Sequence, residues 1–157
     1  IKRYQGGIVS VNPLQKAKSA PSIKQVQKVD SEDIQKIAKE IQQYDEAYHL
    51  ADKSDDIKEL YEQFRDSILG LTTDLEVHPK KMYIAFRKGK RNYVYMSIGT
   101  KQIRIWLNMP FNQLDDPKQL AKDVTNIGHW GNGDCEVIVS DTENLEYILS
   151  LIKQTLK

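Results

Sequence analysis

The chain has 157 residues, of which 39% are hydrophobic and 29% charged, as in a soluble globular domain with its own core. Its net charge of +1 hides an asymmetry, because residues 1–29 carry six basic and no acidic residues, which leaves −5 on the remainder. A single cysteine, Cys135, excludes an internal disulfide. No apolar run approaches the roughly 20 residues that span a bilayer, and no signal peptide is visible. We therefore expect a cytoplasmic protein that does not enter the membrane.

The N-terminal part differs in character from the rest. Residues 1–11 predict a short hairpin around Gly6 and Gly7, and two such strands are not stable without a partner sheet. Residues 12–29 are polar and rich in lysine, serine and proline, which indicates a linker or, alternatively, an arm that touches nucleic acid. The chain begins with Ile1 rather than Met, so we interpret residues 1–11 as the remnant of a preceding domain and residues 30–157 as one domain.

Two helices are predicted next. The first begins at Asp30 or Ser31, with acidic residues in its first turn, and continues to Tyr44. The second is capped by Ser54 and ends at Gly70. Its apolar stripe consists of Ile57, Leu60, Tyr61, Phe64, Ile68 and Leu69.

Three strands follow, over residues 81–87, 92–98 and 102–108, joined by turns that contain Gly89 and Gly99. Alternation along a strand separates its side chains onto two faces. One face is apolar and predicts a core: Met82, Ile84, Phe86, Val94, Met96, Ile98, Ile103, Ile105 and Leu107. The other face is aromatic and basic: Tyr83, Arg87, Tyr93, Tyr95, Arg104 and Trp106.

The C-terminal third adds one more strand and two helices. Pro117 favours a short helix over residues 118–123, and a glycine-rich turn, 128–134, leads into a strand over residues 135–140. Ser140-Asp141-Thr142-Glu143 has the pattern of a capping box for a last helix. The predicted order is ααβββαβα. It indicates an α+β fold in which a mainly antiparallel sheet, a three-strand meander plus a fourth strand, packs against helices, with the last helix beside the second.

The aromatic and basic face is the leading candidate for a binding surface. From Lys80 to Arg104 there are eight basic residues and no acidic one. Aromatic rings interleaved with Arg on an open sheet hold splayed bases in several modules that bind DNA or RNA. The candidate binding residues are Tyr83, Arg87, Lys88, Lys90, Arg91, Tyr93, Tyr95, Arg104, Trp106, His129 and Trp130. Alternatively, a helix or a neighbouring domain covers this face, or the face is a protein interface that forms a homodimer, because Tyr, Trp and Arg dominate such interfaces.

The glycine-rich segment Gly128-His129-Trp130-Gly131-Asn132-Gly133-Asp134 allows two interpretations. Asn-Gly favours a tight turn with a purely structural role. Successive backbone amides could instead bind an anion, which makes this turn a weaker candidate for sensing a small ligand or a modified base.

The residues predict no catalytic centre, metal site or cofactor. Cys135 alternates with Val137 and Val139 and is expected to point into the core rather than to act as a nucleophile with His129. The three histidines are far apart in sequence, and no ligand spacing for a metal is present. Asp74 and Glu76 do not lead into the Glu-x-Lys pattern of a restriction-type nuclease.

Several of these segments also resemble an uncharacterised prokaryotic family, catalogued as domain of unknown function 5655. The resemblance covers about residues 48–156 and depends on KMYIAF (81–86), GKRNY (89–93), IWLN (105–108), LDDP (114–117) and GHWGNGD (128–134). Members of this family occur C-terminal to predicted PD-(D/E)XK nucleases, and some are labelled predicted transport proteins, although no membrane segment supports transport here.

The resemblance implies a non-catalytic accessory domain of a nuclease-like or restriction-like protein, with residues 1–11 as the last strands of the nuclease domain. It supplies no catalytic residues. From the aromatic and basic face we expect the domain to bind nucleic acid, and from the resemblance we expect it to lie beside an upstream nuclease-like domain.

Overall fold

The computed structural model describes residues 44–157. The predicted hairpin, the linker and the first helix up to residue 43 lie outside this range. The described elements, in chain order, are α1 (Glu46–Leu50), α2 (Asp55–Leu69), β1 (Glu76–Pro79), β2 (Ile84–Lys88), β3 (Arg91–Ile98), β4 (Ile103–Leu107), a 3₁₀ turn (Phe111–Gln113), β5 (Lys122–Asp123), β6 (Cys135–Val139) and α3 (Leu145–Thr155).

The strands form one antiparallel sheet in the order β1-β2-β3-β4-β6-β5. This arrangement confirms the α+β class and the central meander, but the sheet has six strands rather than four. The predicted strands did not include β1 and β5, at the two edges. A two-residue strand such as β5 is too short to show alternation, so only its pairing with β6 reveals it.

Both long helices pack on the same face of the sheet. The hydroxyl of Ser54 accepts a hydrogen bond from the Ile57 amide at 3.4 Å, which caps α2 as predicted. The buried positions of α2 and α3 contribute to one core with the inward side chains of the strands, so the predicted position of the last helix beside the second is confirmed. Within residues 44–157, no helix has the length and apolar character needed to cross a bilayer.

The predicted core face is buried with one exception. Met82 is 41% exposed, because β2 begins only at Ile84. The amide of Lys80 donates to the carbonyl of Tyr83 at 2.7 Å, so residues 80–83 form a turn rather than the start of a strand. The prediction for Met82 is therefore wrong.

Two predictions near the C-terminus are also wrong. Residues 118–123 are not a helix: Gln119 has a left-handed φ of 53°, and the carboxylate of Asp116 accepts from the Ala121 amide at 2.7 Å, which stabilises a loop. The last helix does not begin with a capping box. Its N-cap is Asn144, which makes no side-chain capping bond, while Asp141 accepts from the amide of Glu143 in a turn before the helix.

Candidate binding groove

Strand register aligns one row of side chains on the face away from the helices. Directly paired residues cross all six strands in this row: His78, Ala85, Tyr95, Trp106, Glu136 and Lys122. Tyr95 and Trp106, the aromatic members, form a second, smaller core with Ala85 and Val124. The predicted alternation of β3 and β4 is therefore correct for Tyr95 and Trp106.

These two rings are not an open aromatic surface. Tyr95 and Trp106 are each only 2% exposed. Tyr83 lies edge-on against Tyr95, with ring centroids 5.3 Å apart, and is half-buried. The expectation that this sheet face presents its aromatic rings for stacking is thus corrected, because a segment of the chain covers them.

The covering segment comprises residues 124–134, here called the cover loop. Its ends are tied together by a hydrogen bond of 2.8 Å from the Val124 amide to the Asp134 carbonyl. The Asp134 amide in turn donates to Met109. The glycine-rich turn of the sequence is the second half of this longer loop.

Two glycines allow the cover loop to lie against the sheet. Gly131 has φ of +89°, and a Cβ on it would lie 2.5 Å from the ring of Tyr95. Gly133 has φ of +135°, and its Cβ would lie 2.2 Å from the carbonyl oxygen of Leu107. Both therefore have a structural role, whereas a Cβ on Gly128 would meet no atom within 4 Å.

The loop also places a histidine and a tryptophan above the sheet. The ring of His129 stacks on Trp106 with centroids 6.1 Å apart and planes 25° apart. Its Nδ1 lies 2.7 Å from the carbonyl oxygen of Ile127, which can only accept, so Nδ1 carries the proton of this hydrogen bond. Trp130, the next residue, is 50% exposed. The structure thus brings Trp106, His129 and Trp130 together.

A groove of about 520 Å³ opens between the cover loop and the β3–β4 turn. This volume is in the range of small-molecule binding sites. The polar and aromatic residues that line the groove include Ser97, Lys101, Gln102, Arg104, Trp106, His129, Trp130 and Glu136. Lys101 and Glu136 were not among the predicted site residues, although Glu136 alternates with the inward Cys135 and Val137 and so points outward.

Two oppositely charged side chains of the groove lie on neighbouring strands. The Nε of Arg104 on β4 lies 3.9 Å from Oε1 of Glu136 on β6, and their side chains are 53% and 13% exposed. The indole N–H of Trp106 is buried and has no hydrogen-bond partner among residues 44–157. Burial of an N–H donor without an acceptor lowers the free energy of unfolding, so a ligand that supplies an acceptor there would be stabilising.

Tyr93 lies on the other face of the sheet from the one predicted. The register changes between the pairs Phe86–Val94 and Arg87–Asn92, so Tyr93 occupies a β-bulge without a direct partner. Its ring packs against the helix-side core, with the guanidinium carbon of Arg91 4.9 Å from the ring centroid. Strict alternation fails at a bulge, which explains the wrong prediction.

The other predicted basic residues lie at the β2–β3 turn. Arg87 donates to the carbonyl of Gly89 at 2.8 Å, and the Nζ of Lys88 is 3.0 Å from Asp74. Lys88 and Tyr93 line a different cavity, of about 320 Å³, together with Lys153 and Lys157. Apart from Tyr83 and Tyr95, which belong to the smaller core, the predicted residues thus form two groups. One lines the groove, and the other lies at or near this turn and also includes Lys90 and Arg91.

Cys135 points into the core, as its alternation predicted. Its thiol is buried and lies 3.5 Å from the Met109 carbonyl, and burial raises its pKa to about 11. A thiol with so high a pKa is a poor nucleophile at neutral pH. In the part of the chain that the structure describes, no three His, Cys, Asp or Glu residues are arranged to hold a metal ion.

The geometry defines the class of the protein as an α+β domain with a loop-covered aromatic cluster and a groove of mixed charge. Residues 46–155 match the family described as Domain of unknown function (DUF5655), and the chain belongs to that family. The match confirms the resemblance seen in the sequence.

A protein of Haemophilus influenzae, described as an uncharacterized protein, is 50% identical over 157 residues, which is all of this chain and 51% of the relative. The chain therefore spans about half the length of the curated relative it matches. No solved structure matches the chain.

Proposed function

We propose that this domain is a non-catalytic accessory domain that binds single-stranded nucleic acid, with one unpaired base held in the groove. The observation that carries the proposal is the position of Trp130, half-exposed on the cover loop, beside Arg104 and Lys101 in the same groove. An exposed ring next to cationic side chains is the combination that single-strand binding sites use.

The stacking surface in this proposal differs from the one expected from the sequence. Tyr95 and Trp106 are buried and support the cover loop, so Trp130 is the ring with free area. Stacking of one base on such a ring contributes about 1–3 kcal/mol. A groove of about 520 Å³ has room for a base but not for a double helix, which favours a single strand.

The phosphate backbone would be bound by basic side chains. Lys101 and Arg104 lie in the groove, and Lys90 and Arg91 are exposed at the β2–β3 turn. Because phosphate contacts release counterions, the affinity should fall as salt rises. We further propose, from the resemblance, that the domain acts in the cytoplasm beside a nuclease-like domain in a longer protein.

The test is a fluorescence-anisotropy titration of labelled single- and double-stranded DNA and RNA at about 50 and 200 mM salt. We expect single strands to bind in a salt-sensitive manner, and Trp130→Ala to weaken binding about tenfold, as loss of one stacked base would. Tyr48→Ala removes a ring of similar exposure, 45% against 50% for Trp130, from α1 and should leave binding unchanged. Absence of binding at the lower salt concentration would refute the proposal.

A protein interface, including a homodimer, is a second candidate. Ile127, Trp130 and Ile138 are 61%, 50% and 37% exposed, and all belong to the cover loop or to the outer face of β6. Exposed apolar side chains grouped in this way are typical of interaction surfaces. A concentration-dependent dimer in sedimentation velocity that Trp130→Ala dissociates, together with no binding of nucleic acid, would support this function instead.

A further inference from the structure

We infer that the groove selects guanine, and that Glu136 and Arg104 are the residues that determine this specificity. The inference rests on the proposed function, because it names the base that the single-strand site would take. The polar groups at the floor of the groove would determine which base binds, and the aromatic ring at its edge would not.

Strand pairing places a carboxylate and a guanidinium side by side in this floor. Glu136 is paired directly with Trp106, and Arg104 lies two residues before Trp106 on the same strand. All three side chains therefore point to the face away from the helices. Both charged groups line the groove, and Glu136 is the more buried of the two.

Glu136 and Arg104 do not form a hydrogen bond with each other. Within residues 44–157, Glu136 has one ion-pair partner, Arg104, and the separation of 3.9 Å is longer than a hydrogen bond. The carboxylate therefore keeps acceptor capacity on both oxygens, and the guanidinium keeps its donors. A ligand that donates to the first group and accepts from the second would fit this pair.

Guanine is the base whose edge has this pattern. Its Watson–Crick edge presents the O6 acceptor, the N1–H donor and the N2 amino donor in a row. The Glu136 carboxylate can accept from the two adjacent donors while Arg104 donates to O6. On the same edge, adenine and cytosine have a ring-nitrogen acceptor beside their amino group, and uracil and thymine have one N–H between two carbonyls. Each of these four bases would therefore direct a lone pair towards one oxygen of the carboxylate.

The cover loop would hold the plane of the base. Trp130 is available for stacking, and His129 is fixed by its stacking on Trp106 and its hydrogen bond to Ile127. Trp130 and Glu136 line the same groove, so a base that stacks on Trp130 enters the groove whose floor carries Glu136.

The test uses the full chain and four labelled oligothymidine probes of about nine nucleotides, a length in the range of single-strand sites. The four probes differ in one central base, which is guanine, adenine, cytosine or hypoxanthine. We expect the guanine probe to bind about tenfold more tightly than the adenine and cytosine probes, as one bidentate contact would give. Hypoxanthine lacks the N2 amine and should bind with intermediate affinity, a comparison that needs no protein variant.

Glu136→Gln is the diagnostic substitution. A side-chain amide has one acceptor oxygen and one amino donor group, so it cannot accept from both guanine groups, and the guanine preference over the other probes should fall to about twofold or less. Glu62→Gln removes an exposed carboxylate from α2 and should leave the preference intact. Competition by GMP, but not by AMP, would show that the base itself is recognised.

The outcomes separate the two proposals. Equal binding of all four probes, unchanged by Glu136→Gln, would overturn guanine selection and leave single-strand binding in place. Failure of every oligonucleotide to bind would refute single-strand binding. If GMP still bound in that case, guanine recognition would stand with a free nucleotide as the ligand; if it did not, both proposals would fail.

Discussion

His49 ties α1 to the turn between β1 and β2. Its Nε2 lies 2.7 Å from the carbonyl oxygen of Lys80, so Nε2 carries the proton that is donated. Burial of the ring disfavours the charged form and lowers the pKa of His49 below its ordinary value of 6.5, although the hydrogen bond to Lys80 acts in the opposite direction.

The lowered pKa predicts a loss of stability in mild acid. A group whose pKa is lower in the folded state stabilises the fold above its unfolded pKa, and that contribution is lost as the pH falls through the folded value. We expect the urea midpoint to fall between pH values of about 7.5 and 5, and to fall less in His49→Gln. Equal decreases in the two proteins would contradict this role of His49.

The cover loop shows what an irregular element can contribute to a small domain. It buries Tyr95 and Trp106 on the sheet face that the helices leave uncovered, and it presents Trp130 to the groove. Its position depends on backbone conformations that residues with a side chain rarely adopt. Both the stability of the domain and the proposed binding therefore depend on Gly131 and Gly133.

Replacing Gly131 should separate the loop from the sheet. Gly131→Ala combines a positive φ with a Cβ only 2.5 Å from the ring of Tyr95, so we expect a loss of about 2 kcal/mol or more in the free energy of unfolding. Gly128→Ala is the matched control, because its Cβ has no neighbour within 4 Å, and it should change stability by less than about 0.5 kcal/mol. Chemical denaturation measures both, and similar losses would show that the contact with Tyr95 is unimportant.

At the scale of the molecule, the described core is contained within the part of the chain that matches the family. Buried residues extend from Ile57 to Thr155, and the match covers residues 46–155. Glu46 adds a polar tie at the start of this region, since its carboxylate accepts from the hydroxyl of Tyr61 at 2.6 Å and lies 2.7 Å from the Nε of Arg65. Burial raises the pKa of Tyr61, so the phenol stays protonated and continues to donate.

We therefore expect residues 44–157 to fold on their own, with one cooperative transition in urea and the near-UV circular dichroism of packed aromatic rings. A chain that starts at residue 53 lacks Glu46 and α1 and should unfold at a lower urea concentration. If residues 44–157 melted without cooperativity, the core described here would not be sufficient for folding.

Sequence patterns by themselves determined most of the longer regular elements and their inward faces. The stripe of α2 and its Ser54 cap, the apolar alternation of β3 and β4, and the inward direction of Cys135 could all be predicted, because burial imposes fixed periods on helices and strands. The outward direction of Arg104 and Trp106 followed from the same rule. Four residues that line the groove were therefore predicted: Arg104, Trp106, His129 and Trp130.

Only the tertiary structure decided which of these residues meet. A bulge moved Tyr93 to the helix face, hydrogen bonds of Asp116 replaced a predicted helix with a loop, and the pairing of β6 with β4 brought Glu136 beside Arg104. The cover loop buried the rings that the sequence suggested were exposed. These outcomes depend on contacts between residues distant in sequence, and such contacts produce no periodic pattern in the local sequence. Burial of one face of a helix or strand does produce such a pattern.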